Sequence, residues 1–329
     1  MNPAARQAAA AHPAPVEDAL VRERFLEVLG IDAVPAADSV AHRLGASERT
    51  DDGLELTELT FANRLGEDVP CVLMRPAASG APAAHAGGAP AIVCMPGTSG
   101  DAQQLAHPTL DRQFQHRGPL SGWARELARR GFLALAVTVR GTEARSTLEA
   151  KEREAKCLLP WGRTLIGEGV LEAVQAARVL QSLPDVDASR VGATGFSLGG
   201  QMSWQAAAIA PWIAAVAPVA GGIGSMAAFI RQGDLDRHGA PWYLPHLLRH
   251  FDHPQLARVC LCPRPLLIVA PTEDEDMPAE GVDTLVAELE PAYRAAAAAD
   301  ALEVRRPQRN HLYLVEYFEW VAAFFARVL

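Results

Sequence analysis

Arg190-Val-Gly-Ala-Thr-Gly-Phe-Ser-Leu-Gly-Gly200 is the stretch on which the fold turns. Its first half is apolar or small and reads as a buried strand; Leu198 to about Ile209 reads as a helix. Ser197 stands at the join. A serine in a strand-to-helix turn is held in a strained backbone conformation, and flanking glycines let strand and helix approach closely. Its Oγ then projects at the top of a sheet, beside a helix N-terminus that favours developing negative charge. The bare Gly-x-Ser-x-Gly pattern is common by chance, and its bland reading is a glycine-rich turn with an inert serine. The strand before it and the helix after it give the pattern its meaning.

On both sides of this turn, continuous apolar strands alternate with helical stretches. Ala91–Met95, Phe132–Val137, Ala214–Ala220, Leu266–Ala270 and Ala301–Arg305 read as strands, and Trp123–Arg130, Leu165–Leu183 and Val315–Leu329 as helices. Such alternation predicts a mostly parallel, doubly wound sheet covered on both faces. Leu54–Phe61 and Val69–Arg75, joined by turn residues from Asn63 to Asp68, predict an antiparallel hairpin at its start. Before them come an Ala- and Pro-rich tail to Pro15, read as disordered, and an amphipathic helix over Val16–Leu29. Ala77–Pro90 reads as a surface loop. We therefore expect residues 1–53 to be a tail and helix and 54–329 one catalytic domain. Within it, 221–264 breaks the alternation with two expected helices. It reads either as an insertion above the carboxyl ends of the strands or as ordinary helical packing at the sheet edge.

A serine hydroxyl is a poor nucleophile near neutral pH and needs a base, itself held by a carboxylate. On this type of sheet the chain order is serine, acid, histidine. Of the histidines after Ser197, His238, His246, His250 and His253 fall within the insertion, where they read as surface or lid residues. Only His311 follows the last two strands' acid loop, so it is the expected base. The acid comes from Thr272-Glu-Asp-Glu-Asp-Met-Pro278, with Asp274 first, Asp276 second and Glu273 third. A run this dense is often a solvated loop, and one or two of its carboxylates at most should face His311. An oxyanion hole needs two backbone donors. Leu198 N–H supplies one; Thr98 N–H, or Gly97 N–H, supplies the other from Pro96-Gly-Thr-Ser-Gly100. Trp161, Phe229, Trp242 and Tyr243 are candidates for the substrate pocket, although aromatics at such places are as often core.

Composition narrows the class. The chain has 329 residues, a formal net charge of −9, 49% hydrophobic and 21% charged residues. That supports a sizeable core and argues against nucleic acid, which would call for a basic stripe. No basic run points to an anionic membrane, and no apolar run approaches the roughly 18 residues of a span. The first residues lack a secretory signal's basic start and apolar segment. Five cysteines without framework spacing suit a reducing compartment, so a cytoplasmic location is expected. Cys260 and Cys262 read as core thiols entering a strand, not as zinc ligands.

Thr164–Gly200, with Pro184-Asp-Val-Asp-Ala-Ser-Arg-Val191 and the preceding Gly162-Arg163, resembles the bacterial α/β-hydrolases grouped with acetyl xylan esterases and dienelactone hydrolases. Ala257–Pro278, through Pro263-Arg-Pro-Leu-Leu267, resembles the segment that carries the family's acid. There the acid is followed by two residues, an apolar residue and proline, which matches Asp274, Glu275, Asp276, Met277, Pro278 and favours Asp274. The resemblance covers about residues 54–329 and implies the α/β-hydrolase fold. Three departures stand out. Pro96-Gly97 replaces the usual His-Gly, the nucleophile is serine where dienelactone hydrolases in the narrow sense use cysteine, and Gln308-Arg-Asn310 lacks the glycine common next to the base. The resemblance thus implies an esterase without fixing xylan as substrate.

These readings lead to a serine esterase acting on small or short-acyl esters through an acyl-enzyme, with no metal or organic cofactor. A small-molecule ester is the expected partner, and a homo-oligomer is left open. The rivals are an acylaminoacyl or dipeptidyl peptidase-like amidase, an acyltransferase or thioesterase, and a non-catalytic binding protein on the same scaffold. Peptidases of that kind carry a large propeller where this chain has some fifty residues, and a binding relative typically lacks one of the three groups.

Overall fold

The computed structural model describes residues 16–37, 39–76, 88–107 and 121–329. The expected disordered tail and most of the Ala77–Pro90 loop lie outside them. In chain order the strands are β1 (His42–Arg49), β2 (Glu55–Ala62), β3 (Asp68–Arg75), β4 (Ala89–Met95), β5 (Leu133–Val137), β6 (Val186–Phe196), β7 (Ala215–Val219), β8 (Leu266–Val269) and β9 (Leu302–Arg305). The helices are α1 (Val21–Leu29), α2 (Ala102–Ala106), α3 (Trp123–Arg129), α4 (Leu148–Leu158), α5 (Leu165–Ser182), α6 (Leu198–Ile209), α7 (Met226–Gln232), α8 (Leu247–His250), α9 (His253–Leu261), α10 (Ala279–Ala295) and α11 (Val315–Val328).

One sheet runs β1-β2-β3-β5-β4-β6-β7-β8-β9. β1, β2, β3 and β5 pair antiparallel, and from β5 to β9 the pairing is parallel. This is the expected α/β-hydrolase arrangement with its antiparallel start. Side chains alternate between two cores: Val93 of β4 joins α1, α5, α6, α9 and α10 on one face, while Ile92 and Cys94 join α2, α3 and α11 on the other. Helix α6 is buried along its whole length, so its apolar character has no polar side. Trp204 within it is fully buried and donates from Nε1 to Gly221 O at 3.1 Å.

Several elements escaped the sequence reading. Strand β1 is exposed over all but its first residue, so it carries no alternation to read, and its Arg43, Glu48 and Arg49 are typical of a protected edge. Helices α4 and α10 were not anticipated. The expected Val16–Leu29 helix begins as a short turn, Asp18–Leu20, before α1. Segment 221–264 holds three helices and two short turns instead of the two expected helices. Its end, α9, packs against α1, α6 and α10, whereas its middle stands over the strand ends. Cys260 lies in the last turn of α9 and does not enter a strand.

A buried ionic cluster fixes the loop after β5. Glu172 of α5, 1% exposed, accepts from Arg140 N at 2.7 Å, Arg145 Nη1 at 2.6 Å and Asn63 Nδ2 at 2.8 Å. One turn earlier, Glu168 takes Arg64 through Nε and Nη2. Arg140 also pairs with Glu67 and Glu154. Burial lowers the Arg140 pKa, with Glu172 opposing it.

Candidate active site

Ser197 has φ 53° and ψ −119°, a conformation that L-residues avoid, and its N–H donates to Val219 O at 3.0 Å. Strain of this kind persists only where surroundings enforce it. Here they do: a Cβ at Gly195 would lie 2.4 Å from the Gly199 carbonyl carbon, and one at Gly199 would lie 2.3 Å from Met95 O. Any side chain at either position would push β6, α6 and β4 apart, and Ser197 would lose its place.

The acid loop after β8 and the loop before α11 are stitched together. Thr272 N donates to Pro307 O at 2.9 Å, Glu273 N to Arg309 O at 3.0 Å, and Gln308 Nε2 to Glu273 Oε1 at 2.9 Å. The four carboxylates of the run then part company. Asp274, with 4% of its side chain exposed, accepts from His311 Nδ1 at 2.9 Å. Glu275 accepts from the His311 backbone N–H at 3.0 Å, and that bond lowers its pKa against the effect of burial. Asp276 Oδ2 lies 3.1 Å from His311 Nε2, while its Oδ1 takes Arg237 Nε. Glu273 faces Gln308 and stays away from the imidazole. Two carboxylates therefore face the ring, within the expected limit, and they occupy opposite nitrogens.

The ring of His311 packs on Phe196 with centroids 4.9 Å apart, and Phe196 in turn stacks on Tyr313. Burial works against a charged imidazole here. The Asp274 hydrogen bond and the charges of Asp274 and Asp276 outweigh it, even with Arg237 opposing, so the His311 pKa is raised. Among the described residues no hydrogen bond joins Ser197 Oγ to His311. Asp274, Asp276 and His311 offer ligand atoms within 4.8 Å of one another.

Ser197, Leu198, Thr98, His311 and Asp276 line a cavity of about 450 Å³. Gly97 sits over the serine, since a Cβ there would be 3.5 Å from Ser197 Cβ. Glu143 N donates to Thr98 O at 2.7 Å and fixes the loop. Neither Leu198 N–H nor Thr98 N–H has an acceptor among the described residues.

The aromatic candidates divide. Trp242 lines the cavity, donates from Nε1 to Gln201 Oε1 at 2.7 Å and stacks on His238 at 4.2 Å. Trp161 is 81% exposed on a turn after α4 and lies outside it. Phe229 is fully buried on the inner face of α7, and Tyr243 is tied by its hydroxyl to Leu235 O beside a neighbouring hollow. Packing keeps Phe229 out of the cavity and a hydroxyl bond holds Tyr243 beside it, whereas Trp161 points into solvent. Reading by motif missed polar lining residues, Gln104, Glu143, Lys151, Arg237 and His238, and apolar ones such as Leu148, Leu165 and Ile166. Lys151 is 6% exposed, and burial lowers its pKa. Lys151 stands among five other charged residues of α4, so nothing in the sequence sets it apart. His253, read as surface or lid, is instead buried. Its Nδ1 donates to Gly224 O at 3.0 Å, and its ring meets Trp204 edge-on.

Against known proteins, the model of the "Dienelactone hydrolase family" matches residues 120–299, more than half of the chain. "Putative hydrolase YtaP" of Bacillus subtilis (strain 168) is 32% identical over 186 residues, 56% of this chain and 61% of that protein. The match therefore spans about three fifths of the length of that curated relative. Among solved structures, a glucuronoyl esterase from Solibacter usitatus superposes with a TM-score of 0.69 at 15% identity, covering 93% of this chain and 91% of its own. The acetyl xylan esterase from Paenibacillus sp. R4 gives 0.67 at 18% identity over 100% of both chains. At these identities the likeness is one of fold.

Proposed function

This chain belongs to the dienelactone hydrolase family, and from that premise we propose that it is a serine esterase for small, diffusible carboxylic esters. The observation that carries the proposal is that His311, held at Nδ1 by the buried Asp274, lines one cavity with the strained Ser197.

In this reading Ser197 Oγ attacks the ester carbonyl while its proton passes to His311 Nε2. Asp274 keeps the Nδ1 proton in place and stabilises the imidazolium. Leu198 and Thr98 N–H groups take the negative charge of the tetrahedral oxygen, helped by the N-terminus of α6. Collapse breaks the bond to the alcohol, which leaves with the proton from Nε2. Water then attacks the acyl-enzyme, gives its proton to the same nitrogen, and the proton returns to Ser197 as the acid departs. Catalytic hydrogen bonds are often unmade before substrate arrives, which accommodates the unbonded Ser197 and His311. A cavity of about 450 Å³ suits a short acyl group with a modest alcohol.

Hydrolysis of p-nitrophenyl esters from acetyl to octanoyl, with wild type and Ser197→Ala side by side, tests the proposal. We expect short chains to be preferred and the variant to lose at least a thousandfold in kcat (about 4 kcal/mol). Equal rates would refute the nucleophile. A maximum at long chains would keep the serine and reject the small acyl group.

A further inference from the structure

One contact at the site has no place in the acyl-enzyme scheme. The Nε2 atom of His311, which must take the proton of Ser197, faces a carboxylate: Asp276 Oδ2 lies 3.1 Å away. Asp276 is held from three directions. Its N–H donates to Asp274 Oδ1 at 2.8 Å, its Oδ1 takes Arg237 Nε, and His238 Nε2 lies 3.9 Å from that same oxygen. That His238 nitrogen is buried with no hydrogen-bond partner among the described residues.

We propose that Asp276, tethered by Arg237, occupies the Nε2 side of His311 between turnovers and must swing away before that nitrogen can accept the Ser197 proton. The proposal rests on the reading of His311 as the base. Asp276 is on this account a positioning residue, and it touches no reacting bond.

The physical case is one of competition at a single nitrogen. A carboxylate accepts and never donates when ionised, so beside Nε2 it favours the protonated ring. With Asp274 on Nδ1 and Asp276 on Nε2, both contacts favour the protonated imidazole, and a protonated ring cannot act as a base. Arg237 works the other way. It neutralises much of the Asp276 charge, and it belongs to the short turn Leu235–Arg237 on the inserted segment, so the tether reaches the acid loop from a different part of the chain. The charged or titratable groups facing His311 are Asp274, Asp276, Arg237 and His238, with Glu275 on its backbone N–H. Removal of the Asp276 charge should free the ring to lose its proton at lower pH. Removal of the Arg237 charge should do the reverse.

The test follows the His311 ring directly. Full-length protein labelled with ¹⁵N-histidine is titrated by NMR as wild type, Asp276→Asn, Asp276→Glu and Arg237→Gln, with His311→Gln used only to assign the signal. Asp276→Asn should lower the His311 titration midpoint by about one pH unit, the size expected for loss of one close opposite charge. Arg237→Gln should raise it, and Asp276→Glu should keep it near wild type. The acid limb of kcat/KM for p-nitrophenyl acetate should move with the ring. One unit below the wild-type midpoint, Asp276→Asn should therefore keep about half of its own plateau, where wild type keeps about a tenth. A midpoint unchanged in Asp276→Asn, or moved the same way by both charge removals, overturns the latch. A ring that shifts as expected while the kcat/KM limb stays fixed removes the base assignment beneath the proposal, and the latch falls with it. Loss of Ser197→Ala sensitivity, by contrast, would refute the nucleophile without altering the ring titration.

Discussion

At Ser197 the backbone sets where the hydroxyl stands, because a residue at φ 53° keeps it clear of both strand and helix. The residues that hold it there contribute space and little else: Gly195 and Gly199 serve by lacking a Cβ. Around His311 the distribution of roles is chemical. Asp274 and Asp276 are two positions apart and of identical type, yet one takes Nδ1 and the other faces Nε2. If Asp274 orients the base, Asp274→Asn will lower kcat about a thousandfold or more with KM nearly unchanged, as removal of the orienting acid does in a serine triad. Steady-state rates on p-nitrophenyl acetate measure this. The raised His311 pKa gives the pH dependence its sign. If His311 is the base it must be neutral to act, so kcat/KM should rise with pH through a midpoint above the ordinary imidazole value. A limb centred below that value would contradict the geometry.

At the scale of elements, the β5 loop that fixes Thr98 through Glu143 N is itself anchored by charges inside α5. Long helices that cover a sheet usually bury apolar residues, and Glu168 and Glu172 were invisible in the sequence for that reason: their arginine partners lie on β-loop segments far along the chain. Glu172→Ala would leave Arg145 and the Arg140 amide without their buried acceptor. We expect a loss of about 3–5 kcal/mol in urea unfolding. Gly199→Ala should be worse for function than for secondary structure. A methyl against Met95 O forces β4 and α6 apart, so esterase activity should vanish even in whatever fraction still folds, as judged by circular dichroism and rate on the same sample. Strand β1 and helix α4 went unread for opposite reasons. The strand has no buried side, and the helix is predominantly charged along its length, with Leu148 and Lys151 the residues that reach the cavity.

For the molecule as a whole, segment 221–264 joins the surroundings of Ser197 to the core. Its middle supplies Arg237, His238 and Trp242 to the cavity, and its end seats His253 against Trp204 of α6. Burial lowers the pKa of His253 and of His238. A histidine depressed in the folded state is protonated first in the unfolded chain, so its share of stability is complete above the ordinary imidazole pKa and is lost as pH falls towards the folded value. His311 has the opposite sign: its raised pKa stabilises below the unfolded value, and that share disappears as pH rises through the folded one. Thermal unfolding from pH 8 to pH 5 should therefore fall less steeply in His253→Phe than in wild type, whatever the variant's absolute Tm. An equal slope would mean that His253 is not buried neutral. Among the described residues no helix is long and apolar enough to cross a membrane.

The amino-acid sequence by itself determined the sheet and its turn, because continuous apolar strands between helices leave few ways to be buried, and because a serine between glycines at a strand's end has a steric reason to be there. It also brought out His311 and the acid run, since chain order on such a sheet is restricted. Only the tertiary structure decided which aspartate takes which nitrogen, that Trp161 and Phe229 lie away from the cavity, and that Lys151, Arg237 and His238 enter it. Local pattern records how each segment buries its own apolar side. The direction of a charged side chain depends on partners brought near by the fold, and those partners lie tens to hundreds of residues away.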